Sequence, residues 1–130
     1  MADLLLRGGR IIDPANGRDD VADIAFADGK VAAVGHDLPR EGAEIVDARG
    51  LIVVPGLIDL HTHVYWGGTS LGVDAALVAQ RSGTTTFVDA GSAGPGNFLG
   101  FRRHVIERSP LRILPFSTSP SPGFSRSARR

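Results

Sequence analysis

Two histidines one residue apart, His61 and His63, are the side chains whose type and spacing point most directly to chemistry. They close the run Leu57-Ile-Asp-Leu-His-Thr-His63, which follows an apolar stretch, Leu51-Ile-Val-Val54, and a Pro55-Gly56 turn. Along a strand, side chains alternate faces with a period of two, so His61 and His63 are expected on one side and Thr62 on the other. Two imidazoles on one side, at the end of a buried strand, can close on one metal ion with bonds of about 2.0–2.1 Å. The chain has no cysteine, which excludes thiolate ligands and disulfides. The other histidines read differently: His36 follows a strand end beside Asp37 as a surface group, and His104 sits within a helix beside Arg103.

The elements that must position this pair divide in texture at Pro55. Residues 1–54 carry short apolar runs separated by Gly-rich turns. Leu4–Arg7 and Arg10–Asp13 flank Gly8-Gly9 and are expected to form a tight hairpin. Val21–Phe26, Lys30–Gly35, Glu44–Asp47 and Leu51–Val54 read as further strands of an antiparallel sheet or half a sandwich. From Pro55 the pattern becomes strand, helix, strand, helix, strand. A helix is expected over 71–81 with Thr69-Ser70 as its cap and Ser82-Gly83 as its end. Thr84–Asp89 is β-branched and reads as a buried strand. A second helix is expected over 97–108, with Phe98, Phe101 and Val105 on one face and Pro110 as its stop, and Leu111–Leu114 is the third strand. This alternation implies parallel strands joined by right-handed crossovers.

Composition bounds the partners. The 130 residues are enough for a domain with a real core, and the formal net charge is zero, from 14 basic and 14 acidic residues. That balance gives no case for nucleic acid or an anionic membrane surface. No apolar run approaches the roughly 20 residues that span a bilayer, and the N-terminus lacks the basic segment and long apolar run of a signal peptide. The expectation is a cytoplasmic protein. Only one of the basic residues, Lys30, is a lysine.

Four segments together resemble the amidohydrolase superfamily, in its dihydroorotase-like and deacetylase branch. They are Gly8-Gly-Arg-Ile-Ile-Asp-Pro14, Asp28-Gly-Lys-Val-Ala-Ala-Val-Gly35, Val54-Pro-Gly-Leu-Ile-Asp-Leu-His-Thr-His63 and Ser82-Gly-Thr-Thr-Thr-Phe-Val-Asp-Ala-Gly91. The resemblance implies an α/β fold: the N-terminal part of a (β/α)8 barrel preceded by a small β-sandwich domain, with the barrel incomplete. The corresponding divisions are 1–54, 55–116 and a tail, 117–130. It also implies that His61 and His63 lie at the C-terminal mouth of the barrel, where barrel enzymes keep their chemistry. They would there bind one or two divalent ions, commonly zinc, together with a carbamylated lysine, two further histidines and an aspartate from later strands. The implied activity is hydrolysis of an amide, cyclic amide or N-acyl C–N bond by water whose pKa the metal lowers toward 7. Its partner is a small amide-type substrate, and the family admits homo-oligomers. Asp59, on the face of the two histidines by alternation, is open to two readings: a group orienting an imidazole, or a structural residue. Asp89, near the end of the second strand, is a candidate to line the same mouth.

The sequence departs from the family after His63. No lysine follows, and His104 is the only later histidine. A (β/α)8 barrel takes about 250 residues, more than this sequence holds. The stretch Ser117-Thr-Ser-Pro-Ser-Pro-Gly-Phe-Ser-Arg-Ser-Ala-Arg-Arg130 is rich in Ser, Pro and Arg and cannot bury enough apolar area to offset its ordering entropy, so disorder is expected. Its abrupt onset, with the Arg-over-Lys bias, is the texture of an out-of-frame GC-rich gene and suggests a frameshift or truncation near residue 115. The chain is therefore expected to be a truncated fragment without activity of its own. The alternative is a non-catalytic remnant or a small β-rich protein, with adventitious metal binding by the two histidines as a weaker variant.

Overall fold

The computed structural model describes residues 2–116, so the expectations for 117–130 lie outside the described residues. The chain forms two compact units that divide between Pro55 and Gly56. No helix among the described residues is long and apolar enough to cross a membrane.

The first unit is one five-stranded sheet built on β1 (Leu4–Asp13), β2 (Arg18–Ala27), β3 (Lys30–Gly35), β4 (Glu44–Asp47) and β5 (Ile52–Val53). The strand order is β3-β2-β1-β4, with β5 also paired to β1. Here the structure corrects two expectations. Gly8-Gly9 is not a hairpin turn but a bulge inside one continuous ten-residue strand. The register with β2 shifts between Leu6 and Gly9, so Arg7 and Gly8 together face Asp23. Gly8 has φ of 71°, and its N–H donates to Asp23 Oδ1 at 2.9 Å, which satisfies a donor the ladder leaves unpaired. Gly9 has no room for a side chain, because a Cβ there would meet Val53 Cγ2 and the Ala48 side chain. The sheet is also mixed rather than antiparallel: β4 and β5 run parallel to β1. The connection after β3 carries the chain across to the free edge of β1, and Ala48–Leu51 turns around the bulge. The core of this unit is Ile11, Ala22 and Ile24.

The second unit has the expected alternation. Its parallel sheet is β6 (Leu57–Thr62), β7 (Thr84–Asp89) and β8 (Arg112–Pro115), in that order. The connections carry α1 (Ala75–Ser82) and α2 (Phe98–His104). Central β7 is the buried strand, whereas edge strand β6 is exposed along Leu57–His61, contrary to the expectation of a buried strand beneath the histidines. The physical reason is that β6 pairs with β7 alone.

Both helices are shorter than their sequence patterns. Asp74, not Thr69-Ser70, caps α1: its Oδ1 accepts the Ala76 N–H at 2.8 Å. Residues 69–73 turn instead, with Gly72 N–H donating to Thr69 O and Val73 N–H to His63 O. Gly83 ends α1 in the left-handed conformation, as its position predicts. α2 stops at His104, and Ile106–Arg108 form a short 3-10 turn. The core gathers Val64, Ala75, Phe87, Ala93, Phe101 and Ile113. Tyr65 stacks on Phe101 at 4.7 Å, which makes it a packing group.

Candidate metal centre

His61 and His63 stand at the C-terminal end of β6, the end from which parallel-sheet proteins of this kind present functional loops. Their ring centroids are 5.8 Å apart and the planes cross at 70°. The register between β6 and β7 is irregular just before them. Between the pairs Asp59–Phe87 and Thr62–Asp89, two residues of β6, Leu60 and His61, face the single Val88. The strand therefore bulges at Leu60–His61. Asp59 supports this geometry, because its Oδ1 accepts the backbone N–H of His61 at 3.1 Å. Of the two readings of Asp59, the structure shows contact with the main chain of a histidine rather than with an imidazole.

His63 is half-buried and has a side-chain partner that sequence reasoning missed. Its Nδ1 lies 3.0 Å from Ser92 Oγ, on the loop after β7. The two residues are 29 positions apart and no local pattern links them. With Nδ1 engaged, Nε2 is the nitrogen left for a ligand.

Asp89 does not line the surface. It is 0% exposed, and its carboxylate is spent on backbone donors. Oδ2 accepts the Val64 N–H at 2.8 Å, and Oδ1 accepts the N–H groups of Gly91 at 3.1 Å and Ser92 at 2.7 Å. One buried carboxylate thus ties the loop after β6 to the loop after β7. Three charge-assisted bonds offset the cost of burying the charge. Thr62 adds a further tie across the same strands, its Oγ1 donating to Val88 O at 3.0 Å.

The donor set fits a divalent ion of borderline softness: two imidazoles, one with its second nitrogen hydrogen-bonded, on a partly exposed strand end. It is half a set. Among the described residues no group of three or more His, Asp or Glu side chains is placed to hold one ion. His36 and His104 are both exposed. An apolar hollow of about 480 Å³ lies instead along α1, lined by Trp66, Val73, Asp74, Leu77, Val78, Arg81 and Ser82. It includes neither histidine.

Comparison with known proteins finds relatives over most of the chain. Residues 44–96 match the model of a family described as an amidohydrolase family. A dihydroorotase of Lactococcus lactis is 53% identical over 111 residues, covering 85% of this chain and 23% of that protein. A deacetylase of Agrobacterium fabrum is 46% identical over 90 residues, covering 68% of this chain and 22% of that protein. The crystal structure of a dihydroorotase superposes with a TM-score of 0.72 at 37% identity, covering 90% of this chain and 31% of that one. The chain thus spans less than a quarter of the length of these curated relatives.

Proposed function

We propose that this chain, which belongs to the amidohydrolase superfamily and has the fold of its N-terminal part, carries in His61 and His63 the first two metal ligands of a hydrolase acting on C–N bonds. The observation that carries this reading is the convergence of the two imidazoles at the C-terminal end of the first parallel strand, 5.8 Å apart. The substrate class is an amide, cyclic amide or N-acyl compound, in keeping with relatives named dihydroorotase and deacetylase. The ion is divalent, with zinc the best match to two imidazoles. A divalent ion supplies Lewis-acid polarisation of the carbonyl and activation of water. The residues of this chain that would hold it are supported on both sides: Asp59 accepts the backbone N–H of His61, and Ser92 engages the ring of His63. Asp89 keeps the loops that carry them together.

A second reading concerns the chain by itself, and it is favoured by the two-histidine donor set, to which no third His, Asp or Glu is added among the described residues. Two histidines bind an ion without the further ligands that fix its geometry, so the 130-residue chain binds metal weakly and does not turn over substrate. Calorimetric titration of the purified chain with zinc, alongside assays with cyclic-amide and N-acetyl substrates, tests both. Zinc binding that is lost in His61→Ala and in His63→Ala, without turnover, is the expected result. Binding that survives both substitutions would overturn the site. Turnover that vanishes in His61→Ala would overturn the inactivity of the chain.

A further inference from the structure

We infer that Ser92 is a positioning residue for His63, and that its hydroxyl accepts the Nδ1–H of that ring and so presents the Nε2 lone pair outward. The inference rests on the reading of His63 as a metal ligand, but it concerns a property of the metal-free chain. His63 is the first residue beyond the end of β6, where the strand no longer fixes the backbone. A histidine that ligates through Nε2 must carry its proton on Nδ1, and an acceptor at Nδ1 selects that tautomer and fixes the plane of the ring. Ser92 Oγ, 3.0 Å from Nδ1, is that acceptor.

The placement of Ser92 is built rather than incidental. Its own N–H donates to Asp89 Oδ1 at 2.7 Å, while Asp89 Oδ2 takes the N–H of Val64, the residue after His63. The same fully buried carboxylate therefore holds the main chain on both sides of the His63–Ser92 contact. The loop of Ser92 cannot drift from that of His63 without breaking bonds to a buried charge, which are among the stronger hydrogen bonds a fold contains. Because these bonds involve the backbone of Ser92, replacing its side chain leaves the clamp in place. Removal of the hydroxyl is thus separable from collapse of the loop.

The test uses the full 130-residue chain. In the metal-free protein at alkaline pH, where imidazoles are neutral, long-range proton–nitrogen NMR reads the tautomer of His63. The expected result is an Nδ1-protonated ring in the natural chain, a shift toward the Nε2-protonated form in Ser92→Ala, and recovery in Ser92→Thr, which restores a hydroxyl. Zinc affinity should fall by about 10–100-fold in Ser92→Ala, the usual range for loss of a group that orients a ligand, and recover in Ser92→Thr. Thermal unfolding of Ser92→Ala should stay close to that of the natural chain. An Nε2-protonated His63 in the natural chain, or a Ser92→Ala protein with unchanged tautomer and unchanged zinc affinity, would overturn the inference. Failure of the natural chain to bind zinc would overturn the metal-site reading alone, because the tautomer of the metal-free ring still decides the role of Ser92.

Discussion

The fully buried Asp89 is the residue whose character changes most between the chain as a string and the chain as a fold. An aspartate at the end of a strand that faces functional loops suggests a group for ligand or substrate. Its two oxygens are occupied instead by three main-chain N–H groups from Val64, Gly91 and Ser92. Removing the carboxylate would leave the buried Val64 donor and the part-buried Gly91 and Ser92 donors without a partner, at about 1–3 kcal/mol for each donor that water does not reach. Asp89→Ala is therefore expected to lose about 3 kcal/mol or more in urea unfolding. Asp59→Ala, which releases one N–H on an exposed strand, should lose less than about 1 kcal/mol. Equal losses from the two substitutions would contradict the clamp.

At the scale of elements, bulges decide more than regular pairing does. The bulge in β1 keeps one strand continuous through Gly8-Gly9, and the bulge in β6 falls at Leu60–His61, next to the histidine pair. Both bulges are closed by an aspartate that accepts a main-chain N–H, Asp23 in the first and Asp59 in the second. The edge of the first sheet shows a third local device. Just after β4, the Arg49 guanidinium grips Asp47 through Nε and Nη2, with Nη2 2.6 Å from Oδ2, and the Arg49 N–H adds a bond at 3.0 Å. The side-chain bond from Arg49 lowers the pKa of Asp47 from 3.8 to about 2, with its backbone N–H assisting. The folded-state pKa lies below the unfolded one, so the contribution is complete above about 4 and is lost as pH falls toward 2. Both groups are well exposed, so the effect on global stability is small. A carbon-detected NMR titration should place the Asp47 midpoint near 2, and Arg49→Ala should return it toward 3.8. A midpoint near 3.8 in the natural chain would remove the pair from the account.

At the scale of the whole molecule, apolar surface is the outstanding feature. On β6, Leu57 is 48% exposed, Ile58 60% and Leu60 74%, while Phe116, just after β8, is 64% exposed. β6 and β8 are also the two edges of their sheet, each with one side unpaired among the described strands. Unpaired edges that carry exposed apolar side chains favour association with another chain. The purified chain is expected to self-associate: sedimentation velocity should show an apparent mass that rises with concentration, and Leu60→Lys should shift it back toward the monomer. A single monomeric species at all concentrations would show that these edges are protected in another way.

Several of these features were legible in the sequence, and for local reasons. The His-x-His pair, the β-branched run Thr84–Asp89, the stop at Gly83 and the change from short strands to alternating strand and helix depend on neighbours in the chain. Periodicity and turn chemistry report such neighbours, and the family resemblance rested on the same short runs. Tertiary structure alone decided the rest. Gly8-Gly9 suits a hairpin or a bulge equally well, and what selects the bulge is Asp23, 15 residues away. The parallel pairing of β4 and β5 with β1 depends on where a loop crosses the sheet. The pairing of His63 with Ser92 and the inward turn of Asp89 arise only once β6 and β7 lie side by side. The sequence by itself thus determined which side chains stand close together and are available for chemistry, because residue type and close spacing are written in order. The fold decided how that chemistry is aimed, because hydrogen bonds between distant residues exist only after the strands that bear them have paired.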